Sequence, residues 1–111
     1  MNTPATFGNV IASKRKEKSL NQKELAALIL REDGAPMSPQ YLNDIEHDRR
    51  SPSSDSIVKQ ISKILDLPDE YLYYLAGKFP TDSLDRNVTP ELVQQAMYAF
   101  RQALDGHVKN R

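Results

Sequence analysis

Gln40, Asn43, Asp44 and His47 stand at i, i+3, i+4 and i+7 in the stretch "SPQYLNDIEHDRRSPS". On a helix this spacing puts all four on one side. Together they offer amide donors and acceptors, a carboxylate and an imidazole. Such groups can pair with base edges in the DNA major groove, which is about 12 Å wide and admits a helix. Leu42 and Ile45 fall on the opposite side, where they would hold the helix to a core. The alternative is an ordinary solvated polar face. Arg49, Arg50 and Ser51 follow directly, and their charges and hydroxyl suit a phosphate backbone. A favourable interaction of the two arginines with the C-terminal end of the helix dipole is compatible with that role. The same stretch carries three acids, Asp44, Glu46 and Asp48, toward what would be a polyanion.

The elements that must position these groups can be read from caps and periodicity. Ser38 followed by Pro39 starts the helix that bears the row, with a serine cap and a proline whose missing N–H costs nothing at the first helical position. In "LNQKEL", Asn21 can cap a preceding helix while Glu24 reaches back to it, and Leu20 and Leu25 can form a hydrophobic staple. Leu25, Ala26, Leu28 and Ile29 give that helix a buried side, and Gly34 is its expected stop after the charged "RED" turn. Phe7, Val10, Ile11 and the stem of Lys14 place a first helix at about residues 6–18. A fourth is expected over 54–65, with Ile57, Ile61, Ile64 and Leu65 inward. A fifth runs over 68–76, closed by Gly77, with Leu72 and Leu75 as its core residues. Residues 78–88 have turn chemistry and no periodicity, as a linker would. A sixth helix starts at Thr89-Pro90 and is expected to stop at Gly106. Its stripe of Val93, Ala96, Met97, Phe100 and Leu104 would cover either the parent domain or a second molecule. No strand alternation of useful length occurs, so the fold class is all-α.

A chain of 111 residues, 39% of them hydrophobic, can build one compact core with appendages. Fifteen basic and fifteen acidic residues cancel, so any nucleic-acid face must come from local clustering. "KRKEK", with Lys14, Arg15, Lys16 and Lys18, is one cluster, although such runs are commonly solvated helix ends. No run of eighteen apolar residues and no basic leader with an apolar stretch is present, which points to a cytoplasmic protein without a membrane span. There is no cysteine, and His47 and His107 stand in no metal-ligand spacing. With four glycines and no phosphate-cradling loop, neither an enzyme nor a bound cofactor is expected.

The segments "RKEKSLNQKELA", "MSPQYLNDIEHDRRSPS" and "ILDLPDEYLYYLAG" together resemble the lambda-repressor-like helix-turn-helix family, also called the Cro/repressor or XRE type, over residues 7–77. The resemblance implies a five-helix DNA-binding domain within 1–77, followed by the linker at 78–88 and the amphipathic helix within 89–111. Base reading then falls to Gln40, Asn43, Asp44 and His47. Phosphate contacts fall to Asn21, Gln22 and Lys23 at a helix N-terminus, and to Arg49, Arg50 and Ser51 beyond the reading helix. The family pattern also implies an internal ion pair between Arg15 and Glu46. Asp48 would pair with Arg49 or Arg50. Asp44 would either accept from cytosine N4 or repel phosphate and so restrain non-specific binding. The expected function is sequence-specific double-stranded-DNA binding by a regulator of transcription, a dimeric repressor on a two-fold site. The sixth helix or the face around Tyr71 and Tyr74 would make the dimer contact. The alternative is a protein-interaction module, such as an antitoxin or adaptor that holds a protein partner through its C-terminal helix, which the neutral charge favours. One departure stands out: "LREDGAPMS" is longer than the usual turn of about three to four residues. Met37 can still anchor the reading helix, and Arg31 is the residue of the insertion that could touch DNA or a partner.

Overall fold

Short-range capping decides where the helices of this protein begin. The computed structural model describes residues 5–52, 54–79 and 87–109. Its helices are α1 (Phe7–Glu17), α2 (Gln22–Leu28), α3 (Pro39–Glu46), α4 (Asp55–Leu65), α5 (Asp69–Ala76) and α6 (Pro90–Lys109). Thr6, Asn21, Ser38 and Ser54 each accept a main-chain N–H from the first turn of the helix they precede. At α2 the capping box is complete: Asn21 Oδ1 accepts from Glu24 N at 2.7 Å, and Glu24 Oε1 accepts from Asn21 N at 2.9 Å. At α5, Gly77 takes the left-handed conformation, φ 69°, that ends the helix.

The first five helices form one unit, and α6 lies in a second. In the first unit Ile11, Leu25, Ile29, Leu42, Ile45, Val58, Ile61, Leu65 and Leu72 are fully buried. At about 1.5–3 kcal/mol for each fully buried large apolar side chain, this cluster drives the assembly of helices individually too short to persist in water. Tyr73 is buried in the same core, whereas Leu75 only packs against its edge, so α5 is turned further than its leucine spacing suggests; on α4, Ile64 likewise lies at the core's edge.

The second helix is shorter than expected. It stops at Leu28, Ile29 adopts an extended conformation, and Leu28 is left 54% exposed. Gly34 does not end the helix. It sits with φ 87° at the turn of a small hairpin in which Leu30 pairs with Pro36. Arg31 N donates to Ala35 O at 2.8 Å, and Met37 N donates to Ile29 O at 2.8 Å. Asp33 shapes the tip. Its carboxyl is held below the usual range by the Ala35 N–H and then by the Arg31 guanidinium. Gln60 of α4 completes the hairpin, accepting from Leu30 N at 2.7 Å and donating to Leu30 O at 2.8 Å. One side-chain amide thus satisfies the backbone groups a neighbouring strand would satisfy. Met37, 3% exposed, then plugs into the core just before α3.

Described by itself, α6 starts at Pro90 with Thr89 Oγ1 accepting from Leu92 N at 3.2 Å. It continues through Gly106 to Lys109 instead of stopping there. A glycine inside a helix costs about 1 kcal/mol relative to alanine, which weakens a helix without ending it. Val93, Phe100 and Leu104 on this helix are exposed and Met97 is half-buried. Most of the expected linker, residues 80–86, lies outside the described residues. Among the described residues no helix is long and apolar enough to cross a membrane.

Candidate nucleic-acid interface

The third helix packs against both α1 and α2, and four polar side chains fix it there. Arg15 Nε donates to Glu46 Oε2 at 2.7 Å and Arg15 Nη2 to Glu46 Oε1 at 3.0 Å, a two-point pair whose side chains are 9% and 3% exposed. Arg15 Nη1 also donates to Leu20 O at 2.7 Å. From α2, Gln22 Nε2 donates to Glu46 Oε1 at 2.8 Å and to Asn43 Oδ1 at 3.1 Å. A buried ion pair is tolerable when its remaining lone pairs and protons find partners, and here the extra bonds also set the angle between helices. Gly8 allows the close approach. A Cβ there would lie 2.4 Å from Glu46 O and 2.5 Å from Ile45 O.

Asp48 corrects a sequence expectation. Its carboxylate is turned away from Arg49 and Arg50 and caps α1, accepting from Thr6 Oγ1 at 2.6 Å and from Gly8 N at 2.9 Å. An aspartate can hold the left-handed conformation this requires, φ 59°. A carboxylate at a helix N-terminus also gains from the dipole. The partner of the arginines is Asp44. Its Oδ1 receives Arg49 Nε at 3.3 Å and Gln40 Nε2 at 3.1 Å, and Arg50 Nε stands 3.9 Å from Oδ2. The Arg50 guanidinium lies 5.2 Å from the centre of the Tyr41 ring, within cation–π range.

Gln40 and His47 are exposed, and Asn43 and Asp44 are partly covered. His47 Nδ1 is 2.8 Å from Asn43 O, a contact in which the ring nitrogen donates. With Asn43 Oδ1 engaged by Gln22, the donor group of that amide has, among the described residues, no partner of its own to give up. At α2 the capping box uses the N–H groups of Asn21 and Glu24, which leaves those of Gln22 and Lys23 at the open end of the helix. Lys23 and Ser51 are exposed, whereas the Gln22 side chain is half-buried and turned toward α3. Arg31 is paired with Asp33 at the hairpin tip. The roles of Thr6, Gly8, Tyr41 and Gln60 have no short-range signature, apart from a glycine in the first turn of a helix. Among the described residues no group of His, Cys, Asp or Glu is arranged to hold a metal ion.

A short helix seated on two others, with polar groups outward and a cationic turn at its end, defines a helix-turn-helix DNA-binding domain. A family model described as helix-turn-helix matches residues 11–72, more than half of the chain. The protein belongs to the lambda-repressor-like, XRE-type helix-turn-helix family and is a DNA-binding transcription regulator of that type. No curated protein and no solved structure matches the chain significantly.

Proposed function

We propose that the protein is a sequence-specific repressor that binds a two-fold site as a homodimer, with α3 in the major groove. The observation that carries this reading is the division of labour around α3: Glu46 and Asp48 are turned back onto α1, while the amides of Gln40 and Asn43 and the imidazole of His47 stay exposed or partly exposed. Those are donors and acceptors of the kind that pair with base edges. Phosphates are held by Lys23, by the main-chain N–H groups of Gln22 and Lys23 shaped by the Asn21 cap, and by Arg49, Arg50 and Ser51 on the far side of the helix.

A single module of this size buries only about 600–1,000 Å² on DNA, so two copies are the route to tight binding. The apolar row of α6, with Val93, Met97, Phe100 and Leu104, supplies the contact between copies. Occupation of a promoter by such a dimer blocks transcription. The test is a salt-titrated shift assay with genomic fragments, read alongside a reporter driven from the retained fragment. Retention at low salt and lower reporter output are expected; selection of no fragment over random DNA would sink the sequence-specific reading. Gln40→Ala should relax preference at one base pair by about 1–3 kcal/mol, whereas Lys23→Ala should weaken all sequences alike. The same apolar row would suit a different protein, as in an antitoxin or adaptor. A single-chain mass in solution would favour that second reading over the dimer.

A further inference from the structure

We infer that Asp44 acts as an internal stand-in for a DNA phosphate, holding Arg49 and Arg50 in pairs that any DNA must displace, and so sets specificity without reading a base. This rests on the DNA-binding reading of α3. Each oxygen of the carboxylate already faces a cation: Oδ1 has Arg49 Nε at 3.3 Å as well as Gln40 Nε2 at 3.1 Å, and Oδ2 has Arg50 Nε at 3.9 Å. The carboxylate is the covered member of the cluster, 22% exposed, against 56% and 60% for the two arginines. Oδ1 already holds two donors, and Oδ2 is engaged only by the longer contact with Arg50. The cluster is also built into the chain path. Arg49 N donates to Asp44 O at 2.9 Å, and the left-handed turn at Asp48 brings the arginines back beside the carboxylate. The Tyr41 ring also lies against the Arg50 guanidinium, which stands 5.2 Å from the ring centre.

The consequence is an exchange of anions. Binding to arbitrary DNA is almost entirely phosphate neutralisation with release of counterions. Where an arginine leaves a carboxylate to meet a phosphate, part of that gain is cancelled. At the correct site the base contacts of Gln40, whose amide is oriented by its bond to Asp44, offset the loss. Asp44 therefore lowers non-specific affinity more than specific affinity, and the ratio rises.

The test uses the full chain, random-sequence duplex and a sequence selected by the wild type, with Asp44→Asn, which keeps an acceptor for Gln40 and the side-chain shape. Unchanged thermal melts establish that the variant is folded. For random duplex at low salt, Asp44→Asn should bind about 3- to 10-fold tighter. The slope of log affinity against log salt should steepen by about 1. The selected sequence should gain less, so discrimination falls. With Arg49 and Arg50 both changed to Ala, the effect of Asp44→Asn should vanish. If it persists in that background, Asp44 merely repels phosphate and the proposal is overturned. Loss of affinity for the selected sequence alone, with random duplex unaffected, would mean that Asp44 reads a base. A wild type that binds random duplex but selects no sequence would instead remove the sequence-specific reading, while the random-duplex comparison still decides the role of Asp44.

Discussion

Glu46 gathers donors from two other helices into one carboxylate: Arg15 from α1 at both oxygens and Gln22 from α2. Glu46→Ala should therefore leave the Arg15 charge buried without its partner and destabilise the domain by about 3–5 kcal/mol, measured by denaturant unfolding. Replacing both residues with apolar ones of similar volume should cost far less, because no lone charge remains. Gly8→Ala is the steric counterpart. The new Cβ would meet the backbone oxygens of Glu46 and Ile45, which cannot swing aside as a side chain can. A loss of about 1–3 kcal/mol is expected, seen as a lower thermal midpoint. These contacts were unevenly legible in the sequence. The family pattern implies the Arg15 and Glu46 pair, but local chemistry sends Asp48 to the adjacent arginines. Its real partners, Thr6 and Gly8, are some forty positions away, at separations of 42 and 40.

At the scale of elements, what could be read was what the chain decides within one turn. The Asn21 and Glu24 box and the Ser38-Pro39 start are complete in a few residues, and both helices begin there. The end of α2 was not legible, because the apolar spacing runs on past Leu28 after the backbone has left the helix. What ends it is the pairing of Leu30 with Pro36 and with Gln60, thirty residues distant. The rotation of α5 that buries Tyr73 was hidden for a similar reason, since both tyrosine and leucine faces of "YLYYL" are apolar enough to serve. Gln60→Ala should release the hairpin. Its loss leaves Leu30 N–H and C=O to water, a cost of about 0.5–1.5 kcal/mol shared between local and global opening. Hydrogen exchange at Leu30 is expected to accelerate more than exchange in α4, and equal protection in the variant would count against the clamp.

For the whole molecule, a net charge of zero means that attraction to DNA depends on where charges stand, not on their sum. The outward cations Lys23, Arg49 and Arg50 lie around α3, while Glu46 and Asp48 spend their charge internally. For the homodimer proposed above, removing residues 89–111 should leave one shortened chain in place of two full ones, about two fifths of the mass, and weaken binding to a two-fold site by about 10²-fold or more, with single half-sites little affected. Light scattering and shift assays on the two lengths check this. The Gln60 clamp has a further consequence for how such a protein can change. It ties the hairpin to α4 at Leu30, upstream of the tip, and Met37 anchors the chain downstream. Residues 31–35 thus hang outside a closed bracket. Sequence added or exchanged at that tip should leave the seating of α3 on α1 and α2 unchanged.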